Sequence, residues 1–198
     1  MPSSAIDESE IRPALGHPFS HVDISAHTNS AGFTFADSTG SGAMNVWRNS
    51  LPAEEFPSGE LVIEGVPFHP PRPRRGADDH VTCDGQLLAV AEGGYDWLYL
   101  LACSERRVEE EIALHFTGGQ VDFEPLRVSD FWAAVPFFGE SAAFTSAVMH
   151  YPHHVQPRVP GTIWCQRVPV VRRAPLAAVR LPRNAAVHVF AATLVRCG

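Results

Sequence analysis

The sequence predicts an all-β protein, a single-domain antiparallel β-sandwich of the jelly-roll-like type. Seventeen prolines and fifteen glycines interrupt the chain at short intervals, and almost no window has the apolar period of an amphipathic helix. Short strand-like segments follow one another without helical crossovers, which favours antiparallel pairing. A chain of 198 residues with 45% hydrophobic residues is long enough to fill one core.

The two ends of the chain are predicted to differ in order. We expect residues 1–20 to form a partly flexible N-terminal arm and residues 21–198 to form the sandwich domain. The segment HVDISAHT (21–28) is a candidate edge strand that joins the sheet late. The first interior strand is GELVIEGVPF (59–68), and the longest interior loop signal, HPPRPRRGADDH (69–80), follows it.

The middle of the chain contains the clearest strands. QLLAVA (86–91) precedes YDWLYLLAC (95–103), whose nearly continuous apolar run predicts a central strand that is buried on both faces. EEIALHF (110–116) alternates between apolar and polar residues, and Gly118-Gly119 then turns the chain into QVDFEPLRV (120–128). This pattern predicts a hairpin. The remaining predicted strands are 146–151, 162–170, 176–181 and 186–194.

Composition excludes several classes of function. The formal net charge is −7 and the basic residues are scattered, which argues against nucleic acid as a partner. No stretch approaches the about 20 apolar residues of a membrane helix, and MPSSAIDESEIRPAL at the N-terminus has no apolar signal region. We therefore predict a cytoplasmic protein that binds neither nucleic acid nor membrane.

No motif in the sequence indicates a cofactor. The G-x-S-x-G, Walker A and dinucleotide-binding patterns are absent, so we expect neither a cofactor nor a resident metal. The four cysteines are far apart and are predicted to be buried thiols. Cys165 is the one we keep as a candidate nucleophile.

Four stretches resemble a β-sandwich module, similar to carbohydrate-binding modules, that is appended to many bacterial glycoside hydrolases. They are SLPAEEFPSGELVIEGVPFHPP, GQLLAVAEGGYDWLYLLACSE, VSDFWAAVPFF and RVPVVRRAPLAAVRLPRNAAVHVFAATL. The matching positions are Ser50, Pro52, Ala53 and Glu54; Gly65 to Phe68; Gly85-Gln86; Ser129-Asp130; and His188, Phe190 and Ala191. The resemblance implies a jelly-roll sandwich that is usually non-catalytic and attached to a catalytic domain.

This chain departs from the module in two respects. It begins at its own Met1 without an export signal, and extra residues, SGAMNVWRN, place Trp47 and Arg48 in a loop. Both departures leave room for a different activity.

The segment MHYPHHV (149–155) is the densest group of polar rings in the chain. His150, His153 and His154 have residue types that bind zinc, but a strand through His150 and a turn at Pro152 point their rings apart. A loop that hydrogen-bonds a polar ligand is the interpretation we favour. At the end of the 69–80 loop signal, Asp79 and His80 combine a carboxylate with an imidazole, which suits acid-base chemistry if burial separates their pKa values. In a loop rich in proline and arginine, such aspartates are expected to be solvated.

Aromatic side chains in loops provide a candidate ligand surface. A flat exposed ring beside polar groups binds the apolar face of a sugar, whereas Trp97 is predicted to be core. The predicted ligand-binding residues are Trp47, Arg48, Tyr151, His154 and Trp132.

Three functions follow from these observations. The first is binding of a small-molecule or sugar-like ligand by a protein with a carbohydrate-binding-module fold. The alternative is a stand-alone enzyme of bacterial specialised metabolism, a cyclase, isomerase or hydrolase that uses His150, His153, Asp79 and His80. The third is a subunit-binding protein, which a large exposed apolar patch would favour. The oligomeric state stays open.

Overall fold

A computed structural model describes residues 18–196, which are built almost entirely from strands, with single 3-10 turns at Ser25–His27 and Thr39–Ser41. No helix in this described range is long and apolar enough to cross a membrane. The strands are β1 (Phe19–Val22), β2 (Phe33–Thr34), β3 (Leu51–Pro52), β4 (Leu61–Ile63), β5 (Val66–Phe68), β6 (Val81–Thr82), β7 (Leu87–Gly93), β8 (Trp97–Ser104), β9 (Val108–Phe116), β10 (Val121–Val128), β11 (Ser141–Thr145), β12 (Val148–Tyr151), β13 (His154–Pro157), β14 (Thr162–Pro169), β15 (Leu176–Arg180) and β16 (Val187–Val195).

Two antiparallel sheets form the sandwich. The larger sheet has the order β1-β16-β8-β14-β11, and β6 also pairs with β16. The smaller sheet has the order β10-β9-β15-β7. The fold is therefore the antiparallel β-sandwich that the sequence predicts.

The central strand β8 has a core on each side. Leu98, Leu100 and Ala102 face the smaller sheet, where they pack with Ile112 and Leu114 of β9. Because side chains of a strand alternate between faces, the other residues of β8 point outward. Leu101 and Cys103 contact a second apolar cluster.

This second cluster places a third layer over the outer face of the larger sheet. It is formed by the short strands β2 to β5, by the hairpin β12–β13 and by the loop after β10. Its largest fully buried side chains include Phe68, Phe131 and Phe190. The layer is the scaffold for the polar groups that the sequence analysis selected.

Most strand predictions are confirmed, and two details are wrong. The hairpin β9–β10 pairs Val128 with Val108 as expected, and β1 is the edge strand beside β16. The segment 59–68, expected to be one strand, is the hairpin β4–β5, because Glu64 and Gly65 adopt positive φ angles of 52° and 79°. Trp97, expected in the core, is only partly buried. Of the predicted arm, residues 1–20, positions 1–17 lie outside the described residues, and Phe19 and Ser20 belong to β1.

Candidate functional site

Asp79, His80 and His188 form a buried hydrogen-bonded chain behind β2. His80 Nδ1 lies 3.1 Å from Asp79 Oδ1, and His80 Nε2 lies 3.1 Å from His188 Nδ1. All three side chains are at most 1% exposed. The carboxylate of Asp79 also accepts the backbone N–H groups of Gly32 and Phe33 at 2.7 and 3.0 Å. Asp79 is thus the anchor of the β2 segment, and the expectation that it lies in a solvated loop is wrong.

The chemistry of the carboxylate determines which atom donates and which accepts in each of these hydrogen bonds. An ionised carboxylate only accepts, so His80 donates through Nδ1 to Asp79 and, when neutral, accepts through Nε2 from His188. No hydrogen-bond partner for His188 Nε2 lies within the described residues. Burial, together with a smaller effect of His80, lowers the pKa of His188 to about 3, whereas a backbone hydrogen bond of Met44 opposes the shift. His188 is therefore held neutral.

His150 belongs to a separate buried network. Its Nδ1 lies 2.8 Å from the hydroxyl of Thr34, which lies 2.7 Å from the hydroxyl of Ser50. The backbones of Ser50 and His150 exchange both of their hydrogen bonds. Burial lowers the pKa of His150, opposed by the nearby Glu54 and Glu55.

The four predicted catalytic residues do not meet at one surface. Asp79 and His80 lie in the first network and His150 lies in the second, whereas His153 is exposed on the turn between β12 and β13. A general acid or base must reach its substrate. The buried groups connect strands and loops of the scaffold, and their catalytic role stays a prediction.

The predicted ligand-binding residues are divided between two ring pairs. Trp47 stacks on Trp132 with ring centroids 6.0 Å apart, and Tyr151 stacks on His154 at 5.0 Å. Trp47 is 58% exposed. Arg48 hydrogen-bonds the carbonyl oxygens of Gly40 and Gly42, which holds its guanidinium against its own loop.

Trp47, Trp132 and the loops that carry them form a surface that we call the aromatic rim. The indole N–H of Trp132 is buried without a partner among the described residues. Its backbone N–H donates to Asp130 at 2.8 Å. Burial raises the pKa of Asp130, opposed by the Trp132 hydrogen bond and by Arg106, and burial likewise raises the pKa of Glu105.

A cleft lies on the outer side of the larger sheet, away from these rings. One cavity of about 420 Å³ contains Trp97, Glu124 and Arg167, and a neighbouring one of about 180 Å³ contains Tyr99 and Arg167. The two cavities share three lining residues, namely Phe138, Gln166 and Arg167. We call this pair of cavities the Trp97–Arg167 cleft.

Strand pairing explains the position of the cleft. β11 pairs with β14 only as far as Ser141 opposite Cys165. Beyond Cys165 the edge of β14 is therefore uncovered. β10 approaches there from the smaller sheet, and the Gln166 amide donates to the Arg127 carbonyl.

The cleft combines aromatic faces with charged and amide groups. The Arg167 guanidinium lies 5.0 Å from the centroid of the Trp97 ring, a cation–π distance. No carboxylate lies within ion-pair distance of Arg167 in the described range. Burial, followed by the charge of Asp122, raises the pKa of Glu124. These groups suit a small polar ligand that has an acceptor or anionic group.

The three described thiols are not placed to act as nucleophiles. Cys83, Cys103 and Cys165 are free and buried, as predicted, whereas Cys197 lies outside the described residues. Burial, with a smaller effect of Glu64, raises the pKa of Cys165 to about 12. Because the thiolate is the reactive form, Cys165 is unreactive in the folded chain.

The histidines of MHYPHHV are also not assembled as metal ligands. Among residues 18–196 one group of three has suitable spacing, and it is formed by His21, Glu60 and His69. Local sequence patterns do not reveal this group, because His21 is about 40 residues away from Glu60 along the chain.

Two packed antiparallel sheets define the chain as a β-sandwich protein. The chain belongs to the AziU2-like β-sandwich domain family, whose model matches residues 20–197. No curated protein matches the chain. The matched range includes both sheets. The family supports the predicted sandwich, and the narrower resemblance to modules of glycoside hydrolases stays a prediction.

Proposed function

We propose that this chain binds a sugar-like or other small polar molecule in the Trp97–Arg167 cleft. The observation that supports the proposal most directly is the Arg167 guanidinium over the Trp97 ring, in a cavity of about 420 Å³. Among residues 18–196 this guanidinium has no ion-pair partner. Ligand sites of this size combine apolar walls with a few polar anchors. The ring of Trp97 packs against the apolar face of the ligand, and Arg167 and Gln166 bind its oxygens.

Binding is favoured over catalysis because the predicted acid-base groups lie elsewhere. Asp79, His80 and His150 are buried in networks whose partners are backbone and scaffold groups. The cleft contains Glu124 as a carboxylate with a raised pKa. Its other lining carboxylates, Glu64 and Glu140, accept hydrogen bonds from Ser141 and Ser129, respectively.

A ligand screen by saturation-transfer NMR tests this proposal, with neutral monosaccharides and glucuronic acid as probes. Arg167→Ala should weaken binding of a hit about 10- to 100-fold, since a hydrogen bond to a charged group is lost. Arg74→Ala is the matched control, because Arg74 is an exposed arginine of the 69–80 loop. No binding by any probe, or equal binding by Arg167→Ala and wild type, contradicts the proposal.

The variant Trp47→Ala distinguishes binding in the Trp97–Arg167 cleft from binding at the aromatic rim. Trp47 is exposed and lines neither cavity of the cleft. We expect unchanged affinity in this variant. Loss of binding in Trp47→Ala with retention in Arg167→Ala places the ligand at the rim that the sequence predicted.

Subunit association is a second candidate function, favoured by exposed apolar side chains on two neighbouring loops. Val46 and Trp47 are 82% and 58% exposed, and Val135 and Phe137 are 72% and 55% exposed. The Trp47–Trp132 stack joins the two loops. Adjacent exposed apolar groups mark protein contact sites. Concentration-dependent sedimentation that Trp47→Ser abolishes supports self-association through this rim, and a monomer at every concentration excludes it.

A further inference from the structure

Three side chains with metal-ligating atoms converge where β1 meets the β4–β5 hairpin. One ligating atom each of His21, Glu60 and His69 lies within 4.8 Å of the other two. His69 Nε2 is 3.0 Å from Glu60 Oε2, and the two imidazole rings stack with centroids 3.8 Å apart. The group lies away from the Trp97–Arg167 cleft, since it shares no residue with it.

Strand register places these residues together. Leu61 pairs with Phe68 in the β4–β5 hairpin, so Glu60 and His69 are the next pair beyond the strand ends. In the larger sheet His21 of β1 is paired with Thr193 of β16. β5 contacts both β1 and β16. The positions of all three ligands therefore follow from the backbone pairing.

The hydrogen bonds of Thr193 select the tautomer of His21. The hydroxyl of Thr193 donates its one proton to the Pro67 carbonyl at 2.7 Å, and Thr193 is fully buried. At its 3.3 Å contact with His21 Nδ1 it must then accept. His21 consequently carries its proton on Nδ1 and presents the Nε2 lone pair to the cluster. Metal-binding histidines are oriented in this way by a partner on the other ring nitrogen.

We propose that His21, Glu60 and His69 form a binding site for a divalent first-row transition metal ion such as Zn²⁺. Two imidazoles and one carboxylate are a donor set that this class of ion prefers. The ion would replace the proton that His69 Nε2 and Glu60 Oε2 share.

The surrounding space fits an open coordination site. Zinc bonds of about 2.0 to 2.2 Å place tetrahedral donor atoms about 3.4 Å apart, so the present group must contract. The side chains of His69 and Glu60 are 55% and 50% exposed, which allows the His69 ring to leave its stack on His21. Clefts of about 300 Å³ and 240 Å³ flank His69. Water or an added ligand can occupy the remaining position.

Isothermal titration of the full chain with Zn²⁺ tests the site. We expect one ion per chain, and His21→Ala, His69→Ala and Glu60→Gln should each lower the affinity at least about 100-fold. His153→Ala is the control, because His153 is exposed and belongs to another histidine group. Circular dichroism should show that each variant is folded. We expect this result because all three substituted side chains are exposed. Zn²⁺ binding that survives in all three variants, or no binding by the wild type, overturns the proposal.

A second measurement tests the assigned tautomer. Thr193→Val removes the acceptor of the His21 Nδ1 proton and should weaken Zn²⁺ binding about 10- to 100-fold, as loss of such a partner does elsewhere. The ¹⁵N shifts of the metal-free wild type should show His21 protonated on Nδ1. An Nε2-protonated His21 contradicts the geometry on which the site depends.

Discussion

Acidification should destabilise this protein through the buried histidine His188. The unfolded chain takes up a proton on this ring near the ordinary pKa of 6.5, whereas burial keeps the ring neutral in the folded chain down to about pH 3. Between these values the unfolded state binds more protons, so stability is complete above pH 6.5 and is lost as the pH falls.

The size of the effect follows from the width of that window. Each unit of pKa difference corresponds to about 1.4 kcal/mol, so lowering the pH from 7.5 to 5 should remove about 2 kcal/mol of unfolding free energy through His188. The 1% exposure of His188 means that solvent screening does not reduce this effect much.

Urea denaturation at several pH values measures this contribution. His188→Gln carries an amide that does not titrate, so its unfolding free energy should fall by about 2 kcal/mol less than that of the wild type between pH 7.5 and 5. His153→Gln removes an exposed histidine and should keep the wild-type slope. Parallel pH profiles for wild type and His188→Gln would refute the argument, because they would show that His188 is protonated equally in both states.

Two further predictions concern the segment that His80 and Asp79 hold in place. Asp79→Asn should lower the unfolding free energy by about 3 kcal/mol, since the carboxylate accepts two backbone N–H groups and one imidazole N–H in the interior. The control is Asp78→Asn at the exposed neighbouring position. This variant should change the unfolding free energy by less than about 0.5 kcal/mol in the same urea titration. Equal effects of the two substitutions would show that the buried contacts of Asp79 contribute nothing. Gly32→Ala should cost about 1–3 kcal/mol, because its Cβ would lie 2.8 Å from His80 Nδ1 and 2.9 Å from Phe190 Cε1. Gly94→Ala has open space and should leave the thermal midpoint nearly unchanged; a Gly32→Ala midpoint that is equally unchanged would contradict the close packing.

Local patterns predicted the strands because their causes are local. The alternation of residues 110–116 and the glycines that follow determine the hairpin β9–β10, and Gly118 and Gly119 have the positive φ angles of 89° and 87° that such a turn needs. The apolar run of β8 likewise reflects its position between two apolar clusters. The Glu64-Gly65 turn was missed because a continuous apolar pattern surrounds it.

The polar networks were not predictable from local pattern. Asp79 was assigned to a loop because its neighbours in the sequence are proline, arginine and glycine. Its partners Gly32 and Phe33 are 47 and 46 residues away, and only the β2 segment brings them within reach. Trp97 shows the opposite error. The apolar segment around it predicts a core position, but β11 stops pairing with β14 before it reaches Trp97, which therefore lies beside a cleft.

Local sequence patterns were sufficient to predict the two-sheet sandwich and its central strand, because hydrophobic period and turn chemistry depend on neighbouring residues. Contacts between polar groups that are distant in the sequence could be read only from the folded chain. Asp79, His80 and His188 join in one chain of hydrogen bonds, and His21, Glu60 and His69 join at one surface. Each of these encounters depends on the register between strands that are far apart in the sequence, and that register follows from packing of the whole core.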